Sequence, residues 1–416
     1  MAMHQHLKLT RRSLVSAMTG SLAGLPFANT QAATNSATNS ATDLATNAAR
    51  DTSKRILVVL ELSGANDGFN TLVPYADDAY YRLRPKIGIP ANKLRKIDDR
   101  FGFNPGMAGF ERLYKDGKIA VVHGCGYAQP SFSHFTSMAY WHTGVPNSGE
   151  PYGWLGRLAD AIDPALTANF LVNIDERHSL AVRAARHVPV VFDDPEKFKR
   201  KGLYQSRALL DGSAQVAFAN NASQRHLDGV AASARDASQL VRAAWANYKT
   251  PIDYGLISVD LPKVASMIAA GLPTRLYYTA YRHNAFDTHV QQGELHQRLL
   301  TYVSDAVAGF MQDMERIGRA DDVTVLVFSE FGRRAAENTS LGTDHGTANQ
   351  MYVVGKPVKG GHYGKPPSLT ELDADGNVAH TTDFRRVYAS LIEGWFGYAD
   401  SKSLLSGAFA ALPIFG

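Results

Sequence analysis

Uniformly aliphatic runs alternate with amphipathic stretches along most of this chain. Arg55-Ile56-Leu57-Val58-Val59-Leu60 opens the series. A β-branched run with no polar face predicts a strand covered on both sides. Ile119-Ala120-Val121-Val122-His123 predicts a second strand of the same kind. Between them Met107, Phe110, Leu113 and Tyr114 recur at helical spacing, so the segment reads as the strand–helix–strand unit of a parallel sheet. Helices are predicted over Ser133–His142 and Gly153–Ala161, and short strands over Phe170–Ile174 and Val188–Phe192. Thr274–Tyr281 is aromatic and strand-like. Leu295, Leu299, Val303, Ala306, Phe310, Met314 and Ile317 form one apolar stripe of a long amphipathic helix. Val323–Phe328 and Gln350–Val354 predict further strands. Phe384–Phe396 predicts a terminal helix with Phe384, Val387, Tyr388, Leu391, Ile392 and Trp395 on one face. The sequence contains no internal repeat. The expected fold class is α/β, with a mainly parallel central sheet and helices on both faces.

The pattern breaks at the start and in the middle. Residues 1–32 run from a basic stretch with Arg11 and Arg12, through a mildly apolar stretch from Leu14 to Phe27, to small residues ending at Ala32. That order predicts a secretory signal peptide. The apolar stretch is shorter than the ~20 residues a spanning helix needs, so no stable membrane span is expected. Paired arginines before a weakly apolar segment mark the twin-arginine route, an address read by the twin-arginine translocase; an ordinary secretory signal is the alternative. Residues 33–54 are rich in Ala, Thr, Asn and Ser and read as a disordered linker. Residues 55–416 then read as a single domain, with a helical, polar insertion or cap over about 195–272.

Composition narrows the function classes. The chain is 45% hydrophobic and 20% charged with a net charge of +4, ordinary for a globular protein. A nucleic-acid partner would require a concentrated basic stripe, and the short Lys197-Phe198-Lys199-Arg200-Lys201 run reads as a solvated face instead. A single cysteine, Cys125, excludes an intramolecular disulfide. Oligomeric state is not encoded in any pattern here.

Ligands of open parallel sheets bind outside the carboxyl ends of the strands, so the residues delivered there are the candidates. The first strand leads to Glu61 and Asp67. The second leads to His123, then Ser131, Ser133 and His134. The aromatic strand leads to Asp287 and His289, and the Val323 strand to Ser329, Glu330 and Arg333. The next loop carries Asp344 and His345. Carboxylates, imidazoles and a hydroxyl at one sheet edge suit a divalent metal with a nucleophile beside it. Each has a plainer reading. Asp67 lies in an Asn-Asp-Gly turn, Asp287 could cap a helix, Asp344 could simply hold His345, and Ser133 could cap the helix that begins at His134. Glu330 resists such a reading, because a buried charge needs a partner. His296, His362 and His380 read as surface or core residues.

Together Ser63-Gly64-Ala65-Asn66-Asp67-Gly68-Phe69-Asn70, Ser131-Phe132-Ser133-His134-Phe135, Phe286-Asp287-Thr288-His289, Ser329-Glu330-Phe331-Gly332-Arg333, Thr343-Asp344-His345-Gly346 and Val354-Gly355-Lys356-Pro357-Val358-Lys359-Gly360-Gly361 resemble the domain-of-unknown-function 1501 family, in the family's order, from about Ile56 to Gly397. That family is similar at a distance to the alkaline phosphatase and sulfatase superfamily. The resemblance implies an alkaline-phosphatase-like fold, twin-arginine export, a metal-binding aspartate at Asp67, a nucleophile at Ser133, and metal ligands at Asp287, His289 and His345. Three departures stand out. Asp287 and His289 are two apart where four is usual. An Asp-His pair is replaced by Glu330-Phe331, which removes one histidine ligand. The sulfatase nucleophile signature is missing, since Cys125 is followed by Gly-Tyr-Ala-Gln, which argues against a formylglycine sulfatase.

The expected activity is therefore hydrolysis of phosphate or sulfate esters, on a small-molecule or glycan substrate, in the periplasm or outside the cell. Asp67, Asp287, His289, Glu330 and His345 would hold one or two divalent ions (Zn, Mn, Mg or Ca). Ser133, or a water activated by the metal, would attack, and His134 or Arg333 would stabilise charge on the transferring group. The rival is a non-catalytic secreted protein that kept the fold and binds an envelope partner or a glycan through the middle region. A metal-dependent isomerase or transferase on the same scaffold is a third reading, because fold does not fix reaction.

Overall fold

The computed structural model describes residues 52–198 and 236–416. The expected signal peptide, nearly all of the linker and part of the middle region lie outside them. Twelve strands are β1 Ile56–Leu62, β2 Leu72–Val73, β3 Arg95–Lys96, β4 Gly102–Phe103, β5 Ile119–Gly126, β6 Leu171–Ile174, β7 Val190–Phe192, β8 Leu276–Tyr281, β9 Val323–Phe328, β10 Asn349–Val354, β11 Gly361–Tyr363 and β12 Thr382–Asp383. Nine of them make the central sheet in the order β11-β5-β10-β9-β1-β8-β6-β7, with β12 beside β5; β2, β4 and β3 form a small separate sheet. The main helices are α1 Ala108–Lys115, α2 His134–Thr143, α3 Trp154–Ile162, α4 Leu261–Ala269 and α5 Gln292–Arg316.

Strand β1 shows why its sequence has no polar face. Ile56, Val58, Leu60 and Leu62 join one apolar cluster with α1, α4 and α5, while Leu57 and Val59 join another with α2, α3 and the C-terminal helix. Successive side chains of a strand point to opposite faces, and here both faces are covered. Its neighbours β8 and β9 run parallel to it. The fold is thus α/β with a mainly parallel sheet and helices on both sides.

One strand departs from the parallel rule. Strand β10 runs antiparallel to both β5 and β9, so β1 and β5 are parallel but not adjacent. The reason lies in the connection. A parallel return needs a crossover, usually a helix, that carries the chain back to the starting edge. Residues 329–348 contain no helix and stay at the carboxyl edge of β9, so β10 must run back from there.

The middle region is less separate than its polarity implied. Residues 236–247 are helical, and Ala237, Val241 and Ala244 join Val264, Met267 and Ile268 of α4 in the main core. Its described part therefore lies along the path from β7 back to the parallel strand β8. The long-helix stripe also shifts: Leu295 is exposed, and His296 beside it is buried. The terminal helix changes pitch, from α over Arg385–Ala389 to π over Ser390–Trp395. Among the described residues no helix is long and apolar enough to cross a membrane.

Helix α1 crosses α5 at Gly109, where a Cβ would lie 2.3 Å from the Ser304 carbonyl and 2.7 Å from the Ala308 Cβ. Alanine would gain about 1 kcal/mol of helix propensity, but overpacking at such a crossing costs about 1–3 kcal/mol. Gly109→Ala is expected to lower the unfolding free energy in urea. A variant more stable than the parent would show that the helices can part without cost.

Candidate functional site

The carboxyl ends of β1, β8 and β9 lie side by side, and their loops meet there. After β9 the chain turns inward with two buried charges, Glu330 and Arg333. Glu330 is 0% exposed. Its Oε1 accepts the Gly64 N–H at 2.9 Å and faces His134 Nδ1 at 2.7 Å, and its Oε2 lies 3.0 Å from Ser329 Oγ. Gly64 holds φ +109°, and a Cβ there would meet the Asp287 nitrogen at 2.6 Å, so only glycine lets the two loops approach this closely. Arg333 donates to the carbonyls of Ala65 (2.7 Å), Gly64 (2.6 Å), Thr343 (2.9 Å) and Phe286 (3.2 Å), and to Asp287 Oδ1 at 2.6 Å.

Asp287 sits at the centre. His289 Nε2 is 3.0 Å and His345 Nε2 3.2 Å from its Oδ1, and His134 Nε2 is 3.4 Å from its Oδ2. Each imidazole turns its other nitrogen to an oxygen: His134 Nδ1 to Glu330, His289 Nδ1 to Asp344 at 3.2 Å, His345 Nδ1 to the Phe132 carbonyl at 2.9 Å. An acceptor at Nδ1 places the ring proton there and leaves Nε2 as a lone pair in the neutral ring. Three Nε2 atoms therefore converge on one carboxylate, with those of His289 and His345 3.0 Å apart and Arg333 Nη1 3.3 Å from that of His289. His134 Nε2 is buried and makes no hydrogen bond. His134, Asp287 and His345 each offer one ligand atom, all within 4.8 Å of one another. The three imidazole Nε2 atoms lie 3.0–3.4 Å from one or other Asp287 oxygen.

The electrostatics follow. Burial opposes charge on Asp287, but the Arg333 hydrogen bond and charge outweigh it and hold the carboxyl below its usual range. The hydrogen bond to Glu330 raises His134, whereas burial and then Arg333 lower His345.

The structure thus brings together Asp287, His289, His345 and His134, the last expected only to stabilise charge. Glu330, expected as a ligand, stands one step behind, oriented on His134. Arg333, expected to face a transferring group, has its donors committed to the three loops and Asp287, with Nη1 also 3.3 Å from His289 Nε2. Ser133 caps α2 through Thr136 N and is exposed, so the capping reading holds. Phe331 packs against both His134 and His345, with ring centroids 5.0 and 4.8 Å apart.

Asp67 is not brought to the group. It is fully buried; its Oδ1 accepts from Phe69 N, and its Oδ2 takes Arg84 Nη1 and Gln292 Nε2, both at 2.5 Å. Burial disfavours its charge, yet Arg84 holds the carboxyl below the usual range. The sequence reading missed this partner, because Arg84 sits in an unremarkable Arg82-Leu83-Arg84-Pro85 stretch with no pattern to set it apart. It named Glu61 at the sheet edge but not its partners: its Oε2 bonds His142 Nε2 at 2.9 Å and the Tyr278 hydroxyl.

A protein-family model described as "Protein of unknown function (DUF1501)" matches residues 53–408. No curated protein matches the chain. Solved structures similar to it include the PsFucS1 sulfatase from Pseudoalteromonas sp., at 11% identity over 91% of this chain and 74% of that one, with a TM-score of 0.38. The lipoteichoic acid synthase LtaP from Listeria monocytogenes follows at 10% identity, 87% and 74% coverage and a TM-score of 0.35. The phosphonate monoester hydrolase SpPMH from Silicibacter pomeroyi gives 11%, 85% and 77%, and 0.34.

Arg84 and Asp67 are both 0% exposed, and removing one partner of a buried ion pair costs about 3–5 kcal/mol. Arg84→Met is expected to lower the unfolding free energy by that amount, and Arg84→Met with Asp67→Asn to recover more than half of it. A single-variant loss below about 1 kcal/mol in denaturant titrations would remove the pair from any structural role.

Proposed function

The chain belongs to the DUF1501 family, and from the geometry of its own site we propose that it is an exported, metal-dependent hydrolase of phosphate or sulfate esters. One observation carries the reading: the buried Nε2 of His134 has no hydrogen-bond partner and points at Asp287 Oδ2, while its Nδ1 is fixed on Glu330. A carboxylate or carbonyl behind each imidazole is the arrangement that orients metal-binding histidines. His134, Asp287 and His345 would hold one divalent ion, with His289 as the fourth donor. Such an ion supplies Lewis-acid stabilisation of the ester's charged oxygens. Whether it is Zn, Mn, Mg or Ca is for metal analysis; two or three imidazoles favour Zn or Mn over Ca.

Ser133 stands at the positive end of α2, beside the Phe132 carbonyl that orients His345. A helix N-terminus draws the anionic ester toward that hydroxyl. As the Ser133 Oγ bond to phosphorus or sulfur forms, the bond to the ester oxygen breaks. The hydroxyl proton passes to solvent and the alcohol leaves protonated; water then releases the phosphate or sulfate. Export rests on Arg11-Arg12 and the residues that follow them. The twin-arginine translocase would be the export partner.

Phe331 favours a second reading, because an apolar ring packed against both His134 and His345 suits a site kept for shape. In that case the protein binds a glycan or an envelope partner without turnover.

The purified protein is expected to carry about one divalent ion per chain and to turn over aryl phosphate or aryl sulfate. His345→Ala and Asp287→Ala should abolish both properties. Glu330→Gln should weaken metal affinity by about 10- to 100-fold, the usual effect of removing an outer-shell partner. Absence of bound metal, with no turnover under any metal supplement, would sink the hydrolase reading. Bound metal without turnover would favour the binding protein.

A further inference from the structure

His134 of the cluster lines the end of a cavity of about 400 Å3. Its lining includes His134, Phe135, Met138 and His142 from α2, together with Glu61 and Tyr278 from the ends of β1 and β8. His134, Met138 and His142 are four residues apart, so they share one face of the helix. At about 1.5 Å per residue, His142 lies roughly 12 Å along the axis from His134. The cavity therefore extends from His134 toward a second polar end, too far away to take part in bond breaking at the cluster.

That second end is built. Glu61 is 6% exposed. Its Oε2 is bonded by His142 Nε2 at 2.9 Å and by the Tyr278 hydroxyl, which itself lies 2.7 Å from His142 Nε2. Two donors on one oxygen fix the carboxylate in place. Among the described residues nothing hydrogen-bonds its other oxygen, Oε1, although Glu61 lines the cavity. Near the cluster end stands Phe135, 88% exposed, an aromatic ring left uncovered beside the Ser133-His134 pair.

We propose that this cavity holds the alcohol part of the ester and that this alcohol is a sugar. The inference rests on the hydrolase reading for its orientation. A pyranose offers an apolar C–H face that covers an exposed aromatic ring, and hydroxyls that donate to a fixed carboxylate oxygen. An alkyl or aryl alcohol would cover Phe135 but leave Glu61 Oε1 desolvated without a donor, which is unfavourable. The span from His134 to His142 accommodates one ring beyond the ester group. Glu61 and Phe135 are then specificity residues, and neither touches the reacting atoms.

Phosphate and sulfate monoesters of hexoses, compared with aryl and choline monoesters, test this. In Phe135→Ala and in Glu61→Gln the ratio of kcat/KM for the hexose ester to that for the aryl ester is expected to fall about tenfold, the effect of losing one hydrogen bond or stacking contact. An unchanged ratio in both variants, or a parent enzyme that prefers the aryl or choline ester, overturns the proposal. Binding of unesterified glucose and galactose, read by saturation-transfer NMR, separates the two readings. Contacts to ring C–H groups are expected in the parent and in Leu256→Ala, whose side chain is exposed elsewhere, and are expected to be lost in Phe135→Ala. No sugar contact in the parent overturns the proposal whatever is hydrolysed. Sugar contact without any turnover sinks the hydrolase reading and leaves the sugar pocket standing. Phe135→Ala removes only an exposed ring, so the test survives if Glu61→Gln fails to fold.

Discussion

A buried guanidinium must find acceptors for all its N–H groups or the fold loses stability. Arg333 finds them in the loops that follow β1 and β8 and in the one that precedes β10. Those loops cannot shift independently, because each would strand a donor of the same side chain. Asp287 is the one charged acceptor in the set, so the constraint that ties the loops also fixes the carboxylate on which the histidines converge. Glu330, three residues earlier, does the same for α2. Its buried charge is met by Gly64 N–H and His134, which docks the start of the helix and sets the tautomer of its first residue. Rigid support of this kind gives a ligand set its accuracy.

The antiparallel strand serves the same end. Had residues 329–348 crossed back as a helix, they would have left the carboxyl edge of the sheet. Because they stay, the stretch that begins with Glu330 and Arg333 also delivers Asp344 and His345 to the site before β10 departs. The sheet loses one parallel neighbour and the site gains two residues of its histidine network.

Much of this was legible from pattern alone. The strands β1, β5, β8, β9 and β10 and the helices α1, α2, α3 and α5 follow from uniform or helical apolar spacing, because burial on two faces or one leaves a periodic mark. The edge on which Asp287, His289, Glu330 and His345 stand follows from strand direction. What pattern could not supply was pairing. Nothing local distinguishes Arg84, which neutralises Asp67, or assigns Glu330 to His134 across 196 residues. The buried polar face of α5, with Gln292 on Asp67 and His296 on Asn66, reads in sequence as an interruption of the stripe. Strands β2, β3, β4 and β12, two residues each, are too short to show any period.

Asp67 keeps the place after the first strand that the family resemblance assigns to a metal-binding aspartate, yet its counter-charge here is a guanidinium. Arg84 is fully buried against it and also donates to the Ala335 and Arg334 carbonyls at 2.8 and 2.9 Å. Gln292 links the same carboxylate to Thr288 and Thr343, the residues next to Asp287 and Asp344. The positive charge that this buried carboxylate needs is therefore supplied by the chain itself. Phe331 fills space beside His134 and His345 where a further ligand would be needed. Arg84 thus neutralises Asp67 within the fold, and Phe331 packs beside the histidine–aspartate cluster without adding a donor to it.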